Sequence, residues 1–386
     1  MTRRDLIYSA MGIMLAPATL LNSAQAQQAV PNRTQWKVRA SEGFDAIAFL
    51  GPLSGGELYT RYYAEEIRAF APRLAPAVLK DISELWGEAQ KEGFGLLGPN
   101  LCVLLSTGGN DATVASVLTA LDDPDKRILP TYKASRYWSA TDWAFFTKAL
   151  PRLRTIFSSL QAADFAGFRL DSTRDSLLQR IADVQRALVH FDVITLQERV
   201  TGRAFDPAIE VVLLRFCKPH GIRVQGQTFL QSLDYDTETT VRIAAHEMLH
   251  PPVAMDGASA KAVLDTLSRD GLLTRIVHDH DPRWGYTTLE GLLNEDLCQA
   301  LDQLISEQLG VGRNPADRWR KSDDGIHVLA AGIYGLFRQD KWIDKGGSLE
   351  HWLAEKNRVG AFSPESFHAV AARVLERPVD HLWPLA

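Results

Sequence analysis

The sequence predicts an α+β protein, and three observations carry that prediction. Apolar residues recur at helical spacing from about residue 55 to 190. β-rich runs bounded by Gly, Pro and Asp follow between 190 and 230. A helix comes directly after them and ends in His246-Glu247-Met248-Leu249-His250. The expected architecture is a mainly helical N-terminal region, then a unit with a small sheet, a motif-bearing helix and a helical C-terminal part. The 386 residues suffice for two or three domains. Apolar and charged fractions of 46% and 23% are those of a globular chain. A net charge of -5 offers no basic field for nucleic acid or an anionic membrane.

Taken in order, the N-terminus reads as an address. Arg3 and Arg4 precede an apolar stretch through Leu21, and Ala24-Gln25-Ala26 forms an A-x-A cleavage site. Paired arginines before an apolar run resemble a twin-arginine export signal. Residues 1–26 are therefore expected to be removed, with no stable membrane insertion afterwards. The mature chain is expected in a bacterial periplasm or outside the cell. Residues 27–189 form the helical region, with helices expected at 59–70, 76–90, 142–160 and 173–189. Cys102, Cys217 and Cys298 sit among apolar neighbours with no CxxC spacing, so they read as buried small hydrophobes.

The second unit, 190–386, opens with three expected strands at 190–200, 209–216 and 222–230, where Val193, Ile194, Val211, Val212 and Val224 supply β preference. A helix is expected over 236–250, ending at or before His250 because Pro251 disfavours helical geometry in the residue before it. From 253 onward the pattern is helical, with loops expected around 278–286 and 313–325.

The motif H-E-x-x-H carries the chemistry. Residues four apart share a helix face, so His246 and His250 can reach one metal ion. Glu247 then lies where it can take a proton from water. Val241, Ala244, Ala245 and Met248 form the apolar stripe of that helix, and the polar trio falls off it. Chance alone produces such a string in about one or two chains per hundred of this length, so further parts are needed. Two downstream carboxylates are candidates for a third ligand. Glu290 follows Thr287 at capping-box spacing and has a structural role available. Glu295 lies among apolar neighbours, where a carboxylate is costly unless paired or metal-bound, and is preferred. His278 and His280 read as residues of a solvated loop.

Strands followed by an H-E-x-x-H helix is the order found in zincin metallopeptidases. The segment Gly291 to Cys298, with Asn294-Glu295, is similar to the G-x-x-N-E-x-x-S-D helix of thermolysin-like gluzincins. Asp324-Gly325-Ile326-His327, with Gly332-Ile333 beyond it, resembles their G-G-V-H-x-x-S-G-I segment. The three segments occur in the family's order. The chain departs from the pattern in its long gap from His250 to Glu295, in one extra residue between His327 and Gly332, and in Pro251-Pro252. It also has Gln299 where the family has an Asp that orients a ligand His; Asp296 or Asp302 could take that part.

The resemblance implies an exported zinc metallopeptidase acting on peptide or protein substrates. Zn2+ would be held by His246, His250 and Glu295, with Glu247 as general base. His327 is implied as the oxyanion donor, and Tyr286 is a second candidate. The strand over 222–230 could align an extended substrate by strand addition. Two other readings stand beside it: a non-catalytic zincin-fold protein that binds zinc or partners, and a helical periplasmic binding protein with a chance motif.

Overall fold

The computed structural model describes residues 32–108, 110–173 and 176–384. The expected export signal, 1–26, lies outside the described residues. Among the described residues no helix is long and apolar enough to cross a membrane.

The sheet has four strands: β1 (Gln35–Ala40), β2 (Ala208–Leu214), β3 (Gly221–Arg223) and β4 (Thr228–Ser232). Their spatial order is β1-β2-β4-β3. β1 and β4 both run parallel to β2, with Trp36 opposite Ile209 and Val211 opposite Phe229. β3 closes the sheet antiparallel to β4, with Ile222 opposite Leu230. Side chains alternate across a strand, so β2 serves two cores. Ile209, Val211 and Leu213 join Phe229 in one. Val212 and Leu214 join Leu230 and Ile222 in the other. Covering both faces is what a mostly parallel sheet requires. The second core is filled by side chains from the N-terminal helices, such as Phe49, Phe70, Phe146 and Phe165. The first is filled from residues 184 onward, including the motif helix.

The expected helices at 59–70, 76–90, 142–160 and 173–189 are present as Glu57–Phe70, Pro76–Lys91, Ala140–Ala162 and Leu177–Leu188. Three expectations about the sheet are corrected. β1 lies in the region read as helical, although Trp36 and Val38 between polar residues carry the period of a strand. The stretch 190–200 is a helix, Val193–Thr201, capped by Asp192, whose side chain accepts from the Thr195 N–H. Val193, Leu196 and Val200 are buried at helical spacing, and that burial overrides their β preference. The stretch 222–230 is two strands around a turn, where Gly226 takes a φ of 71°. β1 from the first region pairs with β2 from the second, and the described residues from Asn32 onward cluster as one compact unit.

A buried ion pair joins the N-terminal layer to the sheet. Asp45 is fully buried, meets the Arg169 guanidinium and accepts from the Phe216 N–H at 3.1 Å. All three cysteines are free and buried, as expected.

Candidate metal centre

Two helices build the site. The motif helix, Thr237–Glu247, starts at an Asp236 cap and lays Val241, Ala244 and Ala245 into the core, with Met248 just past its end also buried. His246, Glu247 and His250 stay off that stripe, as the periodicity predicts. The helix ends earlier than expected, at Glu247, so His250 stands in the turn that follows. Its place there is set by side chains that satisfy the orphan carbonyls of the helix end. Arg223 of β3 donates to the carbonyls of Glu247 and His250 at 2.6 and 2.7 Å. Arg136 donates to the His250 carbonyl at 2.9 Å, and Gln197 to those of Ala244 and Ala245. Gly221 brings β3 against this helix: a Cβ there would meet Ile243 at 3.2 Å.

The second helix, Leu289–Gln308, is buried over most of its length. Its cap is Thr288, which accepts from the Gly291 N–H at 3.0 Å, so the expected capping box of Thr287 and Glu290 is absent and Glu290 is exposed. Glu295 points at the two histidines. His246 Nε2 lies 3.0 Å from His250 Nε2 and 3.4 Å from Glu295 Oε1, and His250 Nε2 lies 3.5 Å from Glu295 Oε2. An ion with bonds of about 2.0–2.1 Å to N and O at tetrahedral angles needs ligand atoms about 3.3 Å apart. The three separations meet that requirement within a few tenths of an ångström. Among the described residues this is the one cluster of His, Cys, Asp and Glu able to hold a metal.

Hydrogen bonds fix the donors. Asp302 is gripped by both terminal nitrogens of Arg318 and lies 2.7 Å from His246 Nδ1. Burial alone would raise the Asp302 pKa, but Arg318 outweighs it and holds it at about 2. A permanent carboxylate can only accept, so His246 donates through Nδ1 and turns Nε2 toward the cluster. Gln299, fixed by the Trp319 indole N–H at 2.8 Å, donates to Glu295 Oε1 at 3.0 Å. The orienting carboxylate that the resemblance places at 299 thus stands at 302, about one turn further along the same helix. Cys298 Sγ sits 3.3 Å from His250 Nδ1, on the side away from the cluster.

The charges are poised for a cation. Burial would lower the His246 pKa, yet Glu295 and Asp302 outweigh it and raise it to about 9. The ion-free cluster therefore holds a proton that a cation would displace. Burial, with Glu295 adding to it and His246 opposing, pushes Glu247 up to about 7. His246, Glu247 and Glu295 line a cleft of about 470 Å³, so the cluster opens to solvent on one side.

His327 and Tyr286 are placed differently from the expectation. His327 is fully buried, with Nδ1 2.6 Å from Asp296 and Nε2 2.9 Å from Asp323. Two carboxylates outweigh the effect of burial and raise its pKa to about 10, so both ring N–H groups are engaged. Asp323 belongs to a left-handed turn in which Asp323 and Asp324 have φ of 46° and 55°. Trp284 closes this turn by donating to Asp324 at 2.9 Å. Tyr286 packs its ring edge-on against His327, centroids 5.6 Å apart, and its hydroxyl makes no hydrogen bond among the described residues. Gly332, part of the same matched segment, packs so closely that a Cβ would meet the Phe367 ring at 2.1 Å.

The neighbouring loops are more ordered than expected. His278 is exposed near the end of the helix Gly271–Asp279. His280 is buried and bridges the carbonyls of Ile276 and Gly285 at 2.7 and 2.5 Å. The stretch 313–325 contains the helix Pro315–Lys321, which delivers Arg318.

Sequence reasoning missed Arg318, Arg223 and Gln197, whose partners lie far away along the chain. Asp302 had a signal, since positions 295, 299 and 302 share one helix face. The Asp302→Asn variant should bind its metal about 10- to 100-fold more weakly, because the amide no longer forces the His246 tautomer. Competition with a chromophoric chelator reads this, and unchanged affinity would show that Asp302 does not set the ligand.

The chain matches no family model, no curated protein sequence and no solved structure at a significant level.

Proposed function

We propose that the protein is a zinc-dependent peptidase of the gluzincin type, exported by its N-terminal signal. The carrying observation is the convergence of His246, His250 and Glu295 at tetrahedral spacing, with Glu247 beside them on the same cleft. Two imidazoles and one carboxylate are a donor set typical of catalytic zinc, which leaves one position for reaction. When bound, zinc supplies Lewis acidity: it brings the pKa of water toward about 7 and polarises a carbonyl. Glu247 takes the proton of the attacking water and delivers it to the leaving amine. Its upward-shifted pKa suits both directions of transfer. Tyr286 has the unengaged hydroxyl and is the donor we assign to the developing oxyanion. His327 is a positioning residue, holding Asp296 and the Asp323 turn behind Glu295. β3 is an edge strand and contributes Gly221 to the cleft wall, a short edge on which an extended peptide can lie.

Elemental analysis of the mature chain followed by peptide-library cleavage tests this reading. One zinc per chain and cleavage blocked by a hydroxamate are expected. Zinc without any cleavage would leave the non-catalytic zinc protein instead, and a folded chain that takes up no zinc would reduce the motif to coincidence.

A further inference from the structure

Four cations line the cleft beside the metal cluster: Arg242, Arg313, Arg318 and Lys321. Three have partners. Arg318 is spent on Asp302 and also donates to Gln303 at 3.1 Å. Arg242 donates to Thr239 Oγ1 at 2.8 Å and to the Val311 carbonyl at 2.9 Å. Lys321 lies 3.3 Å from Asp317. The Arg313 side chain alone makes no hydrogen bond or ion pair among the described residues, and it is exposed.

Its backbone, by contrast, is pinned. The Arg313 carbonyl accepts from Gln303 Nε2 at 2.6 Å, and the same Gln303 accepts from Arg318. Arg242 holds Val311 two residues earlier. Three guanidiniums are thus gathered on one wall by fixed contacts. Partial desolvation of the Arg313 guanidinium, with repulsion from Arg318 and Arg242 added to it, lowers the Arg313 pKa. Asp302 offsets this only in part. Asp302 is committed to Arg318, Glu295 to the histidines, and Asp323 to His327. A planar guanidinium without an anion, set among like charges, matches a carboxylate in two-point geometry.

We infer that Arg313 is the specificity-determining residue of this cleft and binds a carboxylate of the peptide substrate close to the scissile bond. The inference rests on the peptidase reading. Peptides carry carboxylates at the C-terminus and on Asp or Glu side chains, and either source presents the same chemistry.

The test uses the zinc-loaded full mature chain carrying Glu247→Gln, in which turnover is expected to be slow enough for equilibrium binding to be read, and calorimetric titration with three hexapeptides. One ends in a free carboxylate, the second is its C-terminal amide, and the third is that amide with one Gln replaced by Glu. At least one carboxylate peptide should bind about 10- to 100-fold more tightly than the neutral amide. Preference for the free acid assigns the C-terminal source, and preference for the Glu peptide assigns the side chain. Adding Arg313→Met should bring the ratio of acid to amide affinity close to one, while Arg313→Lys should keep part of it. Equal binding of all three peptides, absence of binding by any, or a preference that survives Arg313→Met overturns the inference. Library cleavage by the wild-type chain tests the peptidase reading separately.

Discussion

Glu247→Gln should keep one zinc per chain and lower turnover by about 10²- to 10⁴-fold. The substitution preserves shape, and the neighbouring histidines keep the contacts that orient them: His246 with Asp302, and the His250 carbonyl with Arg223. What is lost is a carboxylate whose pKa, pushed up to about 7, lets it both accept and return a proton near neutrality. Elemental analysis and initial rates on one cleaved peptide separate the two effects. Full activity with zinc retained would remove Glu247 from the mechanism and with it the assignment of general base.

Glu295→Ala is the second large effect, and it falls on the metal itself. Two imidazoles 3.0 Å apart would remain without the carboxylate that completes the triangle. Zinc content should drop from one per chain to near zero after dialysis against micromolar chelator. The gain in melting temperature that zinc confers on the wild type should vanish with it, since a ligand that binds only the folded state stabilises by mass action. The matching change at the exposed Glu290 should alter neither quantity. A Glu295→Ala protein that held zinc as tightly as the parent would refute the three-ligand centre.

Much of the site was legible in the linear chain because its signals are local. The spacing of Val241, Ala244, Ala245 and Met248 says which way the motif helix faces, and the polar trio follows from the helical period. Glu295 could be preferred over Glu290 because a carboxylate among apolar residues needs a partner, and the structure provides two imidazoles. The helix at Val193–Thr201 has local signals too, in the Asp192 cap and the spacing of Val193, Leu196 and Val200, but its β-branched composition points the other way.

Other features have no local signature. Trp36 stands opposite Ile209 in a parallel pair, and no period in either segment names its partner. Parallel strands need a long crossover, and here the crossover includes the whole N-terminal helical layer. Arg318 reaches Asp302 only because a short helix after the left-handed Gly310 folds back over the buried helix. The burial of His327 between Asp296 and Asp323, and the absence of a partner for Arg313 among the described residues, depend on the same packing. Periodicity and propensity report how a segment curls and which face it buries. Which charges meet, and which one is left without a partner among the described residues, is decided by contacts between segments remote in the chain, and these exist only once the cores on the two faces of the sheet have formed.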